Sequence, residues 1–181
     1  LAQTIEDSAD ALYRTASDFT LGRADAPITI VEFFDYNCGY CKRALAPLMQ
    51  TLDENGDVRL VFKELPILSP SSRLAAKTAL ALDDPLTFLS CHTKLMTHQG
   101  SVNQTVIDKT LTELNLSPKA IAKKSNSKDI AKAIEDTSKL AERLGIKGTP
   151  AFIINGALYP GALEAADFAT AIATAREELV N

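Results

Sequence analysis

Cys38 and Cys41, in the run Cys38-Gly39-Tyr40-Cys41, are the residues of this chain best suited to covalent chemistry. Ahead of them lies Ile28-Thr29-Ile30-Val31-Glu32-Phe33-Phe34, a strand-like run rich in β-branched and aromatic side chains. Behind them Leu45, Leu48, Met49 and Leu52 recur at helical spacing. The pair is therefore expected at a strand-to-helix junction, with Cys38 at the helix N-terminus. Unpaired N–H groups and the helix dipole favour negative charge there. A thiol so placed ionises readily, and the thiolate is the nucleophile of disulfide exchange. Cys41, one turn on, is placed to attack a mixed disulfide formed at Cys38. A structural disulfide and half of a zinc site are the plainer readings of a CxxC. The strand–CxxC–helix context weighs against both.

The surrounding elements follow from pattern. Residues 1–18 read as a weakly amphipathic helix carrying Leu1, Ile5, Ala9, Leu12 and Ala16. It serves either as a docked arm or as the element that builds a homo-oligomer. Residues 19–21 suit a short strand, 28–35 a long one. The CxxC helix runs to about Glu54, with a kink expected at Pro47. Val58 to Leu65 alternates as a strand and stops at Pro66. From Ser69 to Gly145 every signal is helical. Ser71 or Ser72 is the expected first cap, then Asp84-Pro85, Ser101 or Asn103, Ser117-Pro118 and Ser127, with Gly145 past the last helix. Strands return at 151–154 and 157–159 around Asn155-Gly156, a strong hairpin signal. A final helix runs from about Glu164 to Leu179. The order predicts an α/β fold in which a helical block interrupts a mixed sheet.

The chain has 181 residues and a formal net charge of -4. That length fits one domain carrying a large insertion and supplies a core without disulfide staples. No basic stripe suggests nucleic acid, and no apolar run reaches a membrane span. The chain opens at Leu1 with no signal peptide, as a mature exported form or a trimmed product would.

Gly148-Thr149-Pro150 directly precedes the hairpin, where a proline marks a strand start. With it, Glu32-Phe33-Phe34-Asp35-Tyr36-Asn37-Cys38-Gly39-Tyr40-Cys41 and Lys63-Glu64-Leu65-Pro66 resemble the disulfide-bond protein A (DsbA) family of thioredoxin-fold oxidoreductases. The nearest likeness is to its outer-membrane-antigen-like (Com1) and copper-resistance-associated branches. The resemblance implies a thioredoxin fold with a helical insertion domain between the βαβ and ββα halves. The arm is then 1–18, the thioredoxin-like domain 19–66 and 146–181, and the insertion 67–145. It implies catalytic Cys38 and Cys41, forming the redox-active disulfide. It also implies a cis Thr149–Pro150 bond beside them, with Thr149 and Pro150 meeting an extended substrate. Gly39 and Tyr40 tune the pair, and Glu32 moves protons beneath it. No cofactor and no metal is called for.

The activity so implied is formation or shuffling of disulfides in exported proteins. Unfolded or partly folded proteins are the substrates, a membrane or soluble redox partner recycles the dithiol, and the location is periplasmic. Gly39-Tyr40 and Thr149 resemble the isomerase and reductase members, which keeps a disulfide isomerase or reductase as the alternative. The other alternative is a soft-metal protein that holds copper on the same two thiols. Lys63 reads either as a partner of Glu32 or as an exposed strand residue. Cys91 reads as a buried inert thiol that does not share a site with His92, and His98 as a helix-end cap.

Overall fold

A computed structural model of the chain describes residues 1–180. Five strands form one mixed sheet: β1 (Thr20–Leu21), β2 (Ile28–Phe34), β3 (Val58–Glu64), β4 (Ala151–Ile154) and β5 (Ala157–Pro160). Their spatial order is β1-β3-β2-β4-β5. Only β2 and β3 run parallel; the outer pairings are antiparallel. A parallel pair needs a crossover, and α3 (Gly39–Glu54) supplies it. Pro47 lies inside α3 without ending it. At the hairpin, Asn155 and Gly156 take φ of 45° and 87°, the left-handed pair of the expected tight turn.

Strand parity sorts the core. Ile28, Ile30 and Phe34 of β2, with Val58, Leu60 and Phe62 of β3, face α3, the C-terminal helix α9 (Ala165–Val180) and the helical segment. Val31, Phe33 and Val61 face the other way, onto Ile5, Leu12, Leu140 and Leu144. The two central strands are thus buried on both faces, as their near-continuous apolar runs require.

Between β3 and β4 lie five helices, α4 (Pro70–Leu80), α5 (Pro85–Thr97), α6 (Gln104–Glu113), α7 (Pro118–Ser125) and α8 (Lys128–Arg143), and no strand among the described residues. Side-chain caps at Asp84, Asn103, Ser117 and Ser127 start four of them. The first is capped by Ser69, whose Oγ accepts the Ser72 N–H, and not by Ser71 or Ser72. Pro70 then occupies the first helical position, where a missing N–H does no harm. The segment straddles the sheet. Side chains of α4 to α7 join the α3 face, while Leu140 and Ala141 of α8 join the opposite one.

The N-terminal arm is two short helices, α1 (Ala2–Asp7) and α2 (Ala9–Tyr13), broken at Ser8, and not one helix over 1–18. Serine competes with the helix for backbone bonds and is a weak interior residue. Ile5 and Leu12 are 3% and 0% exposed, turned onto the chain's own sheet. Lys63 lies on this face as well. Its Nζ pairs with Asp18 and donates to the Ala11 carbonyl at 2.5 Å. It is 2% exposed, so it is not a surface residue. Nor does it meet Glu32: Glu32 is in register with Phe62 and Lys63 with Phe33, so the two side chains leave opposite faces.

Candidate active site

Cys38 is the N-cap of α3, with extended backbone (φ -82°, ψ 112°). Its sulfur accepts the Cys41 N–H at 3.2 Å and donates to the Thr149 carbonyl at 3.2 Å. The Thr149–Pro150 bond is cis. Strand β4 begins at Ala151 and pairs with β2, and that pairing brings residues 149–150 to the cysteines. Both thiols are free. Cys38 is 5% and Cys41 1% exposed, so Cys38 is the more open of the two yet nearly covered.

The two thiols are driven apart electrostatically. Hydrogen bonding from the Cys41 thiol, then from the Thr149 side chain and the N–H groups of Cys41 and Tyr40, outweighs burial and brings Cys38 down to about 6. Burial first, then the bond to Cys38, push Cys41 far above the ordinary thiol range. Glu32, on the α3 face of β2, is pushed up to about 8 by burial and then by the Cys38 charge. It acts in turn on Cys41, helping to disfavour the Cys41 thiolate. An acid that holds a proton at neutral pH therefore lies close to Cys41.

Around the sulfur, Tyr40 is 59% exposed, with the Arg43 guanidinium 4.4 Å from its ring centroid. Ile67 and Leu68 are also exposed. A groove of about 360 Å³ runs past Ile146, Lys147, Thr149, Pro150 and Leu158. Cys38, Cys41, Gly39, Tyr40, Glu32, Thr149 and Pro150 are thus brought together; Lys63 is not.

Several residues escape the sequence. Asp35 accepts the Asn37 N–H at 2.8 Å and the Leu68 N–H at 2.9 Å, bracing the loop before Cys38. Behind it, the Tyr36 hydroxyl lies 3.1 Å from Glu64 Oε1 and 3.1 Å from His92 Nδ1. Burial holds the Glu64 carboxyl well above its usual range and the His92 ring down at about 3. The rings of Phe34, Phe62 and Phe88 surround His92. Cys91 is buried and, by that burial, pushed up to about 12. His98 contributes its carbonyl, which accepts Lys42 Nζ at 2.7 Å. The signal for Glu64 was available: an acid in a strand buried on both faces must be paired or protonated.

The thioredoxin family profile matches residues 14–174. The chain belongs to the thioredoxin family. A thioredoxin-like oxidoreductase of Silicibacter pomeroyi DSS-3 is 34% identical, over 93% of this chain and 97% of that one, with a TM-score of 0.89. A periplasmic thioredoxin-like protein of Salmonella enterica serovar Typhimurium is 30% identical over 96% of each chain, at 0.84. Disulfide bond formation protein D of Bacillus subtilis is 28% identical over 75% of this chain and 66% of its own length. Within the family, the chain falls with the DsbA-like oxidoreductases that its motifs resemble. It also matches a Na(+)/H(+) antiporter of Salinispora arenicola, 27% identical over 87% of this chain, and spans 24% of that protein's length. No helix among the described residues is long and apolar enough to cross a membrane.

Proposed function

We propose that this protein is a thiol–disulfide oxidoreductase that forms or shuffles disulfides in exported proteins through Cys38 and Cys41. One observation carries it. The Cys38 sulfur sits between the Cys41 N–H and the Thr149 carbonyl, 3.2 Å from each, with its thiol brought down to about 6.

In the oxidising direction a substrate thiolate attacks the sulfur of Cys38 in the Cys38–Cys41 disulfide. The S–S bond breaks, and Cys41 leaves as a thiolate and takes the proton that Glu32 holds. A second substrate thiolate attacks the mixed disulfide. Substrate leaves oxidised, and Cys38 departs as the stable thiolate. A stabilised reduced form makes the disulfide the stronger oxidant, so net oxidation or shuffling is favoured over bulk reduction. A redox partner must then reoxidise the dithiol.

Thr149 and Pro150 line the groove that receives an extended substrate segment, with Tyr40, Ile67 and Leu68 as exposed apolar contacts. Gly39 and Tyr40 set the spacing and the donors at the sulfur. The catalytic unit is residues 19–66 and 146–181, with 67–145 inserted. The arm 1–18 acts here as a docked element, since its apolar residues Ile5 and Leu12 face inward. The periplasm is the proposed location, where an oxidising pair persists and where the Salmonella relative resides.

Alkylation of the reduced chain at pH 6 to 7, read by mass spectrometry, should label Cys38 before Cys41. Cys38→Ser should abolish oxidation of a reduced unfolded protein. Faster labelling of Cys41, or activity retained in Cys38→Ser, overturns the assignment.

A further inference from the structure

Asn37, the residue before Cys38, is fastened to the helical segment at two places. Its amide NH2 is shared among Ser71 Oγ at 3.0 Å, Ser72 Oγ at 3.1 Å, Ser69 Oγ at 3.3 Å and the Val102 carbonyl at 3.4 Å. Its Oδ1 accepts the Val102 N–H at 2.7 Å and the Ser101 hydroxyl at 3.4 Å. The Val102 N–H identifies which end of the amide is oxygen, because only that end can accept it. Ser69 to Ser72 begin α4, and residues 101–102 join α5 to α6. One side chain therefore ties the cap of the catalytic helix to two separate stretches of the insertion.

Lys42 repeats the arrangement from the other side of the CxxC. Its Nζ donates to the carbonyls of His98 at 2.7 Å and Gly100 at 2.8 Å. No such bond reaches the sulfur itself. What they restrain is the backbone from which the sulfur hangs.

We propose that Asn37 is a positioning residue for Cys38: its clamp onto Ser69, Ser71, Ser72 and Val102 holds the sulfur against the N–H groups of α3 and beside Thr149, making the helical insertion a part of the redox centre. Stabilising a thiolate by N–H groups depends on their staying aimed at it, since water competes for them as soon as the cap loosens. A loop held at Asp35 alone would keep its turn but lose its seat on α4. The inference rests on Cys38 being the attacking thiol.

The test compares wild-type and Asn37→Ala full-length chains, both reduced and both checked for folding by circular dichroism. The rate of Cys38 alkylation by iodoacetamide is followed against pH, and the dithiol–disulfide equilibrium is measured in glutathione buffers. The groups facing the sulfur, Cys41, Glu32 and Thr149, are unchanged, so a shift reports on position. In Asn37→Ala the alkylation midpoint should rise by about one pH unit, a roughly tenfold loss of thiolate at acid pH. The glutathione equilibrium should move toward the disulfide by a similar factor. A folded Asn37→Ala with the wild-type midpoint and equilibrium overturns the proposal. If that variant does not fold, Ser71→Ala with Ser72→Ala, which leaves the Ser69 cap in place, carries the same test with a smaller shift in the same direction expected; an unmoved midpoint overturns it. A wild-type Cys38 with no lowered midpoint would instead overturn the proposed function, so the two failures are distinct.

Discussion

The two faces of the central sheet bury charge in opposite ways, and adjacent residues of one strand show it. Lys63 and Glu64 of β3 are 2% and 3% exposed. On the arm side, Lys63 is paired with Asp18 and donates to the Ala11 carbonyl. On the α3 side, Glu64 meets no cation; burial raises it and it shares Tyr36 with the neutral His92. Glu32 lies on that same side, raised by burial and then by the Cys38 charge, and is also protonated near neutrality. The arm-side face pairs its buried charge. The face that suppresses charge keeps protons in store beneath the cysteines.

The hardest way to break this contrast is to remove the paired cation. Lys63→Ala leaves Asp18 buried without its partner, which should destabilise the chain by roughly 3–5 kcal/mol in urea denaturation at neutral pH. Asp18 is already pushed up to about 6 by burial, with Lys63 opposing the rise. An acid raised in the folded state gives stability that is present below its unfolded value and lost as pH rises through the folded one. The variant should therefore lose less at pH 5 than at pH 8. Its Cys38 alkylation profile should not move, because Lys63 is on the wrong face.

Glu32→Gln attacks the other face and should do the reverse. Glu32 is raised from 4.5 to about 8, so wild-type stability declines as pH climbs between those values. Glutamine does not titrate. The variant should be more stable than wild type at pH 7 by up to about 3 kcal/mol, and equal to it below about pH 4. Oxidation of a dithiol substrate should slow, since Cys41 then leaves without its proton donor. A variant equal to wild type at pH 4 but less stable at pH 7 would show that Glu32 is ionised there.

Smaller effects sharpen the picture. Tyr36→Phe removes the hydroxyl shared by Glu64 and His92, leaving both short of a partner. A loss of about 1–3 kcal/mol is expected by thermal or urea unfolding. Cys91→Ala should cost about 1 kcal/mol or less and leave the glutathione equilibrium unchanged. In the intact wild type the Cys91 thiol should resist alkylation until denaturant is added.

The same contrast explains what could be read from the chain beforehand. Local chemistry was legible: the caps at Asp84, Asn103, Ser117 and Ser127, the Asn155-Gly156 hairpin, and Cys38 at a helix N-terminus all depend on neighbours within a few residues. Ser69-Pro70 carried the same cap-then-proline signal as Asp84-Pro85, and it places the first cap correctly where the serines after it do not. Lys63 was misread because its fate depends on sheet parity and on Asp18, 45 residues away. The role of Asn37 could not be read from its neighbours, since its partners lie 32 to 65 residues further on. Glu32 and the Thr149–Pro150 bond were found through family likeness, where periodicity alone was silent.

The bond between Cys38 and the Thr149 carbonyl joins positions 111 residues apart. Closing a loop of that length costs about 4 kcal/mol of chain entropy. At a synthesis rate of roughly 5–20 residues per second, Cys38 emerges some 5 to 20 seconds before Thr149. During that interval neither the Thr149 carbonyl beside the Cys38 sulfur nor the groove past Pro150 yet exists. A newly made molecule therefore presents its two thiols before the residues that surround them have been made.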